Sequence, residues 1–176
     1  ALCTLPAAAN DVLKWNDTTV KAVTMGGQNP IQQSRTVAMV QGAVHDALNA
    51  IKPRYTAYYY EATAAAGAVP EAAVAAASRT VLVAVIPSFG QPPQRTDALA
   101  MVEEAYRAAL AGIPDSPGKA NGIAVGQAAG EAMLWQSYDR VTCPTLLLRG
   151  ADSDLLSHGT ALAMTQRGPR ARLHEF

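Results

Sequence analysis

The chain has 176 residues, of which 49% are apolar and 16% charged, and its 14 basic side chains balance 14 acidic ones. This composition is typical of a globular protein and excludes both a disordered chain and a basic surface for nucleic acid. The two cysteines, Cys3 and Cys143, have no partner at metal-ligand spacing, so no zinc site or disulfide framework is predicted. No apolar run reaches the length of a membrane span. Of the 36 alanines, 32 precede Leu134, which indicates two differently built segments.

Residues 1–9 are predicted to be a flexible N-terminus. Their composition fits the end of a removed export signal, which would make the protein periplasmic or extracellular, and it equally fits a frayed chain end.

Residues 10–134 are predicted to form a bundle of about five helices. Asn10 is the expected N-cap of the first, which would run from Asp11 to about Met25. The second, from about Ile31 to Ala50, carries one apolar stripe. Prolines open the next two, which are predicted from Pro70 to Pro87 and from Pro92 to Gly112, and the last is predicted to start after Ser116-Pro117 and to run to about Tyr138.

The last of these helices carries a row of glycines at four-residue spacing: Gly118, Gly122, Gly126 and Gly130. Each costs about 1 kcal/mol of helix propensity against alanine, so a compensating contact is expected. The row forms one ridge of the helix and is expected to let a neighbouring helix approach closely. The alternative is a ligand pressed against the bare backbone.

Residues 135–176 follow a different pattern. Thr145–Arg149 is a short apolar run typical of a buried parallel strand, a helix is predicted over 160–167, and 172–176 alternates like a second strand. Such a β-α-β segment normally belongs to a larger parallel sheet. The predicted fold class is therefore mainly α, a bundle of about five helices followed by a short β-α-β segment.

Three stretches of the predicted bundle carry a family pattern. Residues 11–16 are DVLKWN, residues 43–51 are AVHDALNAI, and the third stretch runs from Pro70 to Leu82, with continuations at 113–115 and 119–126. Together they cover about residues 10–133. In order and spacing they resemble the N-terminal helical region of bacterial vanadium-dependent haloperoxidase-related proteins, relatives of the type 2 phosphatidic acid phosphatases.

This resemblance implies an all-α fold but no activity for this segment. Those enzymes hold vanadate or phosphate in a later bundle, with a Lys and Arg separated by six residues, a Ser-Gly-His stretch, and an Arg followed six positions later by a His. Here residues 157–159 have the order Ser-His-Gly, and no Arg has a His six positions later. No cofactor is therefore expected, and vanadate would enter only if another chain supplied the missing catalytic half.

The second segment resembles a C-terminal piece of an α/β-hydrolase. Residues 143–156, CPTLLLRGADSDLL, are similar to the strand and loop that deliver the acid of that family's catalytic triad, which stands four residues after the glycine. That position is Asp154. The resemblance implies an incomplete site, because no Gly-x-Ser-x-Gly turn occurs and the chain stops at Phe176, before the loop of the family's histidine.

The remaining polar candidates are expected to be structural. His45 and Asp46 are adjacent on a helix and point about 100° apart, so they are not expected to form a dyad with each other. His45 is expected to be a hydrogen-bonded packing residue, since only Asn49, a poor metal ligand, shares its face.

His158 and His174 are expected to be a loop and a strand residue rather than general bases. Tyr58, Tyr59 and Tyr60 are expected to pack against the helices, with an exposed sticky edge or stacking platform as the alternative. Glu103 and Glu104 are expected on a solvated helix face.

Three functions remain open. A structural or interaction module without catalysis is favoured, because no site is complete. The alternatives are part of a haloperoxidase or phosphatase completed by another chain, and an esterase-like site completed in an oligomer through Asp154. The expected partner is a second copy or another protein chain. The union of the two segments fits a fused gene, an engineered chimera or a sequence pieced together from two sources.

Overall fold

The structure is a computed structural model that describes residues 7–153 and 156–176. The chain divides into an N-terminal unit that ends at Leu134 and a C-terminal unit, Trp135–Phe176. The described residues form six α-helices, a short 3-10 helix at Ile86–Ser88 and two strands, which confirms the mainly α fold class. In chain order they are α1 (Ala7–Met25), α2 (Pro30–Ile51), α3 (Pro70–Val85), α4 (Pro92–Ala111), α5 (Pro117–Asp139), β1 (Leu146–Arg149), α6 (His158–Gln166) and β2 (Arg172–Glu175).

Helix α3 is the core helix of the N-terminal unit. It packs against α1, α2 and α4, and its residues 72–78 are all buried, together with Val81 and Leu82. Most of these side chains are alanine, so the surrounding helices can approach the α3 backbone closely. The core is completed from α1 and α2 by Trp15, Val23, Val40 and Val44.

The helix ends follow local sequence signals. Prolines stand in the first turn of α2, α3 and α4, where the missing N–H costs nothing. The side chain of Asn29 caps α2 by accepting hydrogen bonds from the N–H groups of Ile31 and Gln32. In turn, the side-chain oxygen of Gln32 accepts a hydrogen bond from the Asn29 N–H. The expectation that Asn10 caps α1 is wrong. Helix α1 already begins at Ala7, because the alanines before Asn10 are strong helix formers.

By length and composition, α3 with the following 3-10 turn also meets the criteria for a membrane span. Residues Pro70–Ser88 have a mean hydropathy of 1.3, and 56% of this window is buried inside the structure. The core helix of a soluble protein passes the same test, so this is weak evidence for a span.

The glycine row of α5 packs against α3, as the spacing predicts. A Cβ built on Gly122 would overlap the carbonyl oxygen of Val69, and one built on Gly126 would overlap that of Ala73. At Gly130 an added Cβ would come within 2.7 Å of the Thr80 Cβ. The glycines spaced four residues apart therefore allow the backbone of α5 to contact the backbone of α3.

The C-terminal unit is a β-α-β segment with a small core. Strands β1 and β2 pair in parallel, with Leu146 opposite Arg172 and Arg149 opposite Glu175, and α6 connects them. The last residues of α5 contact α6 through Tyr138, whose hydroxyl donates to the Met164 carbonyl. Among the described residues of this unit, the buried ones are Arg149, Ala161 and Ala171.

Candidate functional site

Asp46 is the most heavily bonded polar side chain of the N-terminal unit. It lies on α2, and its carboxylate is 1% exposed. Oδ1 accepts the N–H of Tyr58 at 2.8 Å, and Oδ2 accepts those of Tyr59 at 2.8 Å and Tyr60 at 3.0 Å. A buried carboxylate is stable only with such donors, so these bonds offset the cost of removing its charge from water.

His45 supplies a fourth donor to the same carboxylate. Its Nδ1 lies 3.0 Å from Asp46 Oδ1, and since an ionised carboxylate only accepts, the imidazole donates. The expectation that these adjacent residues cannot pair is wrong. The divergence of about 100° applies to the Cα–Cβ bonds, whereas Nδ1 and Oδ1 lie farther out and can turn toward each other.

The four donors also set the ionisation of Asp46. Burial by itself raises the pKa of this carboxyl. The backbone N–H groups of Tyr58, Tyr59 and Tyr60 and the His45 imidazole outweigh burial, so the pKa lies below its usual 3.8. Asp46 is therefore ionised at neutral pH and engaged by its own chain.

Asn49 fixes the beginning of the same segment. Its Oδ1 accepts the N–H groups of Arg54 and Tyr55 at 2.9 and 3.0 Å, and its Nδ2 donates to the Tyr55 carbonyl at 2.8 Å. We call His45, Asp46 and Asn49 the loop clamp, because together they hold residues 54–60 against α2. Sequence reasoning missed the clamp, since the groups it binds are backbone amides.

The tyrosines of the clamped segment differ in exposure. Tyr59 and Tyr60 are partly buried against the core, as expected. The expectation fails for Tyr58, which is 64% exposed and lies edge-on to the His45 ring at 5.0 Å between centroids. The backbone N–H of this residue is the group that Asp46 binds.

A second polar contact joins α3 to α4. Arg79 donates from Nε to Glu103 Oε2 at 2.9 Å and from Nη2 to Oε1 at 2.6 Å, and its guanidinium lies 5.0 Å from the Tyr106 ring centroid. The expectation of a solvated face is only partly right for Glu103, whose side chain is 39% exposed but also pairs with Arg79. Glu104 fits it, since it is exposed and pairs with Arg107 one turn away. The Arg79 contact holds two helices together, which is a structural use of both charges.

In the C-terminal unit, Arg149, His158 and Glu175 form a polar cluster at the carboxyl ends of the strands. Glu175 Oε1 lies 2.6 Å from Arg149 Nη1 and 2.9 Å from His158 Nδ1. Arg149 Nε also donates to the Leu156 carbonyl at 2.7 Å. The hydrogen bond with His158 is the largest cause of a lowered pKa of the Glu175 carboxyl, and the contact with Arg149 adds to it. Burial acts in the opposite direction and raises this pKa, but by less than the contacts lower it.

The cluster pins the ends of the loop between β1 and α6. Asp154, the triad-acid position implied by the hydrolase resemblance, lies outside the described residues. His158 is the first residue of α6 rather than a loop residue, whereas His174 lies in β2 as expected. The Ser157 hydroxyl accepts the Thr160 N–H as the N-cap of α6, so it is engaged in a structural bond.

Metal chemistry has no support in the described part of the chain. No group of three or more His, Cys, Asp or Glu side chains there is placed to hold an ion. Cys143 is exposed and unpaired with another cysteine in the same part of the chain.

Comparison with known proteins gives one partial similarity. A stretch of 41 residues, 23% of this chain, is 51% identical to a 3-hydroxybutyrate-oligomer hydrolase of Cupriavidus necator. The match covers 14% of that enzyme. No protein-family model and no solved structure matches the chain. These comparisons give no support to the resemblance to vanadium haloperoxidases, and they show that part of this chain is similar to a hydrolase.

Proposed function

We propose that residues 10–134 are a structural module that carries out no reaction of its own. This is the role that the resemblance to the N-terminal region of haloperoxidase-related proteins implies. The observation that supports it most is the use of Asp46, whose carboxylate accepts three backbone N–H groups and the imidazole of His45. A catalytic or oxyanion-binding site needs polar groups turned toward its ligand. The loop clamp turns them toward its own backbone.

Activity assays on the full chain test this proposal. The protein is incubated with vanadate, bromide, hydrogen peroxide and a phenol dye, and separately with p-nitrophenyl phosphate. We expect neither bromination nor phosphate release above the protein-free blank, because the clamp residues offer no free cationic fork to an oxyanion. Bromination that requires vanadate would overturn the proposal.

The similarity to the oligomer hydrolase favours a second function for the C-terminal unit. Residues 135–176 are about as many as the matched stretch, and a parallel strand-helix-strand is the repeating unit of an α/β fold. We infer that this unit is a segment of an esterase-like hydrolase, with Asp154 as the acid that orients a histidine. The substrate class would be an ester of a short hydroxy acid.

Two matched variants separate the functions. Hydrolysis of the linear dimer of 3-hydroxybutyrate is measured for the full chain, for Asp154→Asn and for the control Asp152→Asn, which removes the same charge two residues away. If the chain is only structural, all three stay at the blank. Hydrolysis that Asp154→Asn abolishes and Asp152→Asn retains would instead support the esterase-like site. Labelling by a fluorophosphonate would then identify its serine.

A further inference from the structure

A cavity of about 380 Å³ opens beside the loop clamp, where α2 ends and α3 begins. Its apolar lining comes from Leu48 and Ile51 in the last turn of α2 and from Pro70 at the start of α3. This volume is typical of a binding site for a small organic molecule. The lining of such sites is mostly apolar and carries a few polar groups at defined positions. The cavity therefore suits an apolar body of about two fused rings or less.

Two cations stand at this cavity. Lys52 and Arg54 directly follow α2, line the cavity and are exposed. Across the part of the chain that the structure describes, no acidic side chain lies within ion-pair distance of either. The backbone of both residues is fixed, since the Lys52 N–H donates to the Leu48 carbonyl and the Arg54 N–H donates to Asn49. Both side chains thus extend from a fixed backbone at the cavity, and within the described residues their charges are available to an anion.

The carboxylate of Asp46, which also lies on α2, does not neutralise the charges of Lys52 and Arg54. Asp46 is 1% exposed, and its oxygens are bonded to His45 and to the backbone of residues 58–60. Its charge faces the clamped segment, which leaves the cavity side with a positive balance.

Aromatic rings form another side of the cavity. The His45 ring lines it, and the Tyr55 ring lies 6.1 Å from His45 between centroids. Tyr55 is 73% exposed, although Asn49 holds both its N–H and its carbonyl. An exposed aromatic ring on an anchored backbone is suited to stacking against a flat ligand.

We propose that this cavity binds a flat aromatic monocarboxylate, with the ring against Leu48, Ile51 and Tyr55 and the carboxylate paired with Lys52 and Arg54. An apolar ring alone would leave the cations without a partner, and an inorganic oxyanion alone would leave the apolar lining in water. A guanidinium and an ammonium both form charge-assisted hydrogen bonds with a carboxylate. The proposal adds a ligand to the structural module and does not depend on its lack of catalysis.

Titration of the full chain with 1-naphthoate tests the proposal, and the uncharged 1-naphthamide serves as the matched ligand. Binding is followed by calorimetry and by the backbone amide signals of residues 45–55. We expect naphthoate to bind with a Kd of about 1 mM or tighter and at least tenfold more tightly than the amide. The perturbed signals should be those at the end of α2 and in the clamped segment.

Charge variants locate the site. The double variant Lys52→Gln with Arg54→Gln should weaken naphthoate binding at least tenfold, because both partners of the carboxylate are removed. Both side chains are exposed, so the fold should be retained, and circular dichroism checks this. Arg35→Gln removes an exposed cation elsewhere on α2 and should leave the affinity within about twofold. Three results would each overturn the proposal. They are no binding of naphthoate, equal affinity for naphthoate and naphthamide, and a loss of affinity in Arg35→Gln as large as in the double variant.

Discussion

The polar residues of α2 illustrate how a group of side chains suited to catalysis can serve the fold instead. His45, Asp46 and Asn49 together form seven hydrogen bonds, counting the shared one once, and six of them end on the backbone of residues 54–60. This segment has no regular secondary structure, so its amides need partners from elsewhere. The clamp supplies those partners. The resemblance to a family pattern at residues 43–51 therefore falls on residues with a structural task in this chain.

Replacing Asp46 by Asn should destabilise the N-terminal unit by about 2–3 kcal/mol, because an NH₂ group would face N–H donors that now meet an oxygen. Urea denaturation followed by circular dichroism measures this change. Asp17→Asn is the matched control, since Asp17 is exposed and pairs with the exposed Lys21 one turn away. Its effect should stay within about 0.5 kcal/mol. Equal stability of the two variants would contradict the role assigned to Asp46.

The same residue should make the stability of this unit depend on pH in the acid range. Its folded-state pKa is lowered below 3.8, so as the pH falls the unfolded chain takes up the proton first. The stabilisation is complete above 3.8 and is lost as the pH falls through the lower, folded-state value. The difference in unfolding free energy between wild type and Asp46→Asn should therefore shrink below pH 3.8. A difference that stays constant down to acid unfolding would count against an ionised, clamped Asp46.

At the scale of elements, the contact between α3 and α5 depends on missing side chains. The glycine row of α5 lies against an alanine-rich face of α3, so the helix axes approach to backbone contact. Glycine lowers the helix propensity of α5, but any Cβ in this row would force the two helices apart. Close packing over several turns offsets the propensity cost.

The structure indicates whether Gly126→Ala stabilises or destabilises the protein, a question that helix propensity alone leaves open. Alanine should gain about 1 kcal/mol of helix propensity, but its Cβ would overlap the Ala73 carbonyl oxygen and lie within 2.9 Å of the Ala77 nitrogen. We expect a net loss of about 2 kcal/mol, and a larger loss for Gly126→Leu. Thermal unfolding measures both variants.

Gly112→Ala is the matched control for this ridge. Gly112 caps α4 with a φ of −76°, and an added Cβ would meet only the Ala109 carbonyl at 3.7 Å. The Gly112→Ala variant should change the free energy of unfolding by no more than about 0.5 kcal/mol. A Gly126→Ala variant as stable as this control would mean that α5 can move away from α3 at little cost.

Which elements can be predicted from sequence depends on where their signals lie. Pro70, Pro92 and Pro117 mark helix starts because the effect of proline is local, and the glycine spacing predicts a close contact because it repeats along one helix. The start of α1 does not follow from the cap signal, since Asn10 is a strong cap but the alanines before it extend the helix to Ala7. The loop clamp could not be predicted. Its acceptor, Asp46, binds amides 12 to 14 residues away, and backbone amides are common to every sequence.

At the scale of the whole molecule, the two units differ in how well they bury their apolar residues. The N-terminal unit has a continuous core from α1 to α5. In the C-terminal unit Leu146 and Leu148 are each 61% exposed on β1, and Phe176 after β2 is 76% exposed. Strands of a parallel sheet are normally buried on both faces, so this β-α-β segment presents a surface that in larger sheets is covered.

We expect the exposed face of β1 to cause association between copies of the chain. Leu146 and Leu148 are two positions apart, so their side chains lie on the same face of the strand. In the part of the chain that the structure describes, β1 pairs only with β2, which leaves one edge of each strand open. Sedimentation equilibrium over a range of protein concentrations should therefore show reversible self-association. A monomer at all concentrations would contradict this expectation.

The double variant Leu146→Lys with Leu148→Lys should abolish this association, because two charges would have to be buried in the contact. Leu162→Lys is the matched control, since Leu162 is 47% exposed but lies on α6 rather than on a strand. It should associate like the wild type. If the control weakens association as much as the double variant, the contact involves the apolar surface of the unit in general rather than β1. If neither variant changes it, association arises outside the C-terminal unit, and the exposed strand is not its cause.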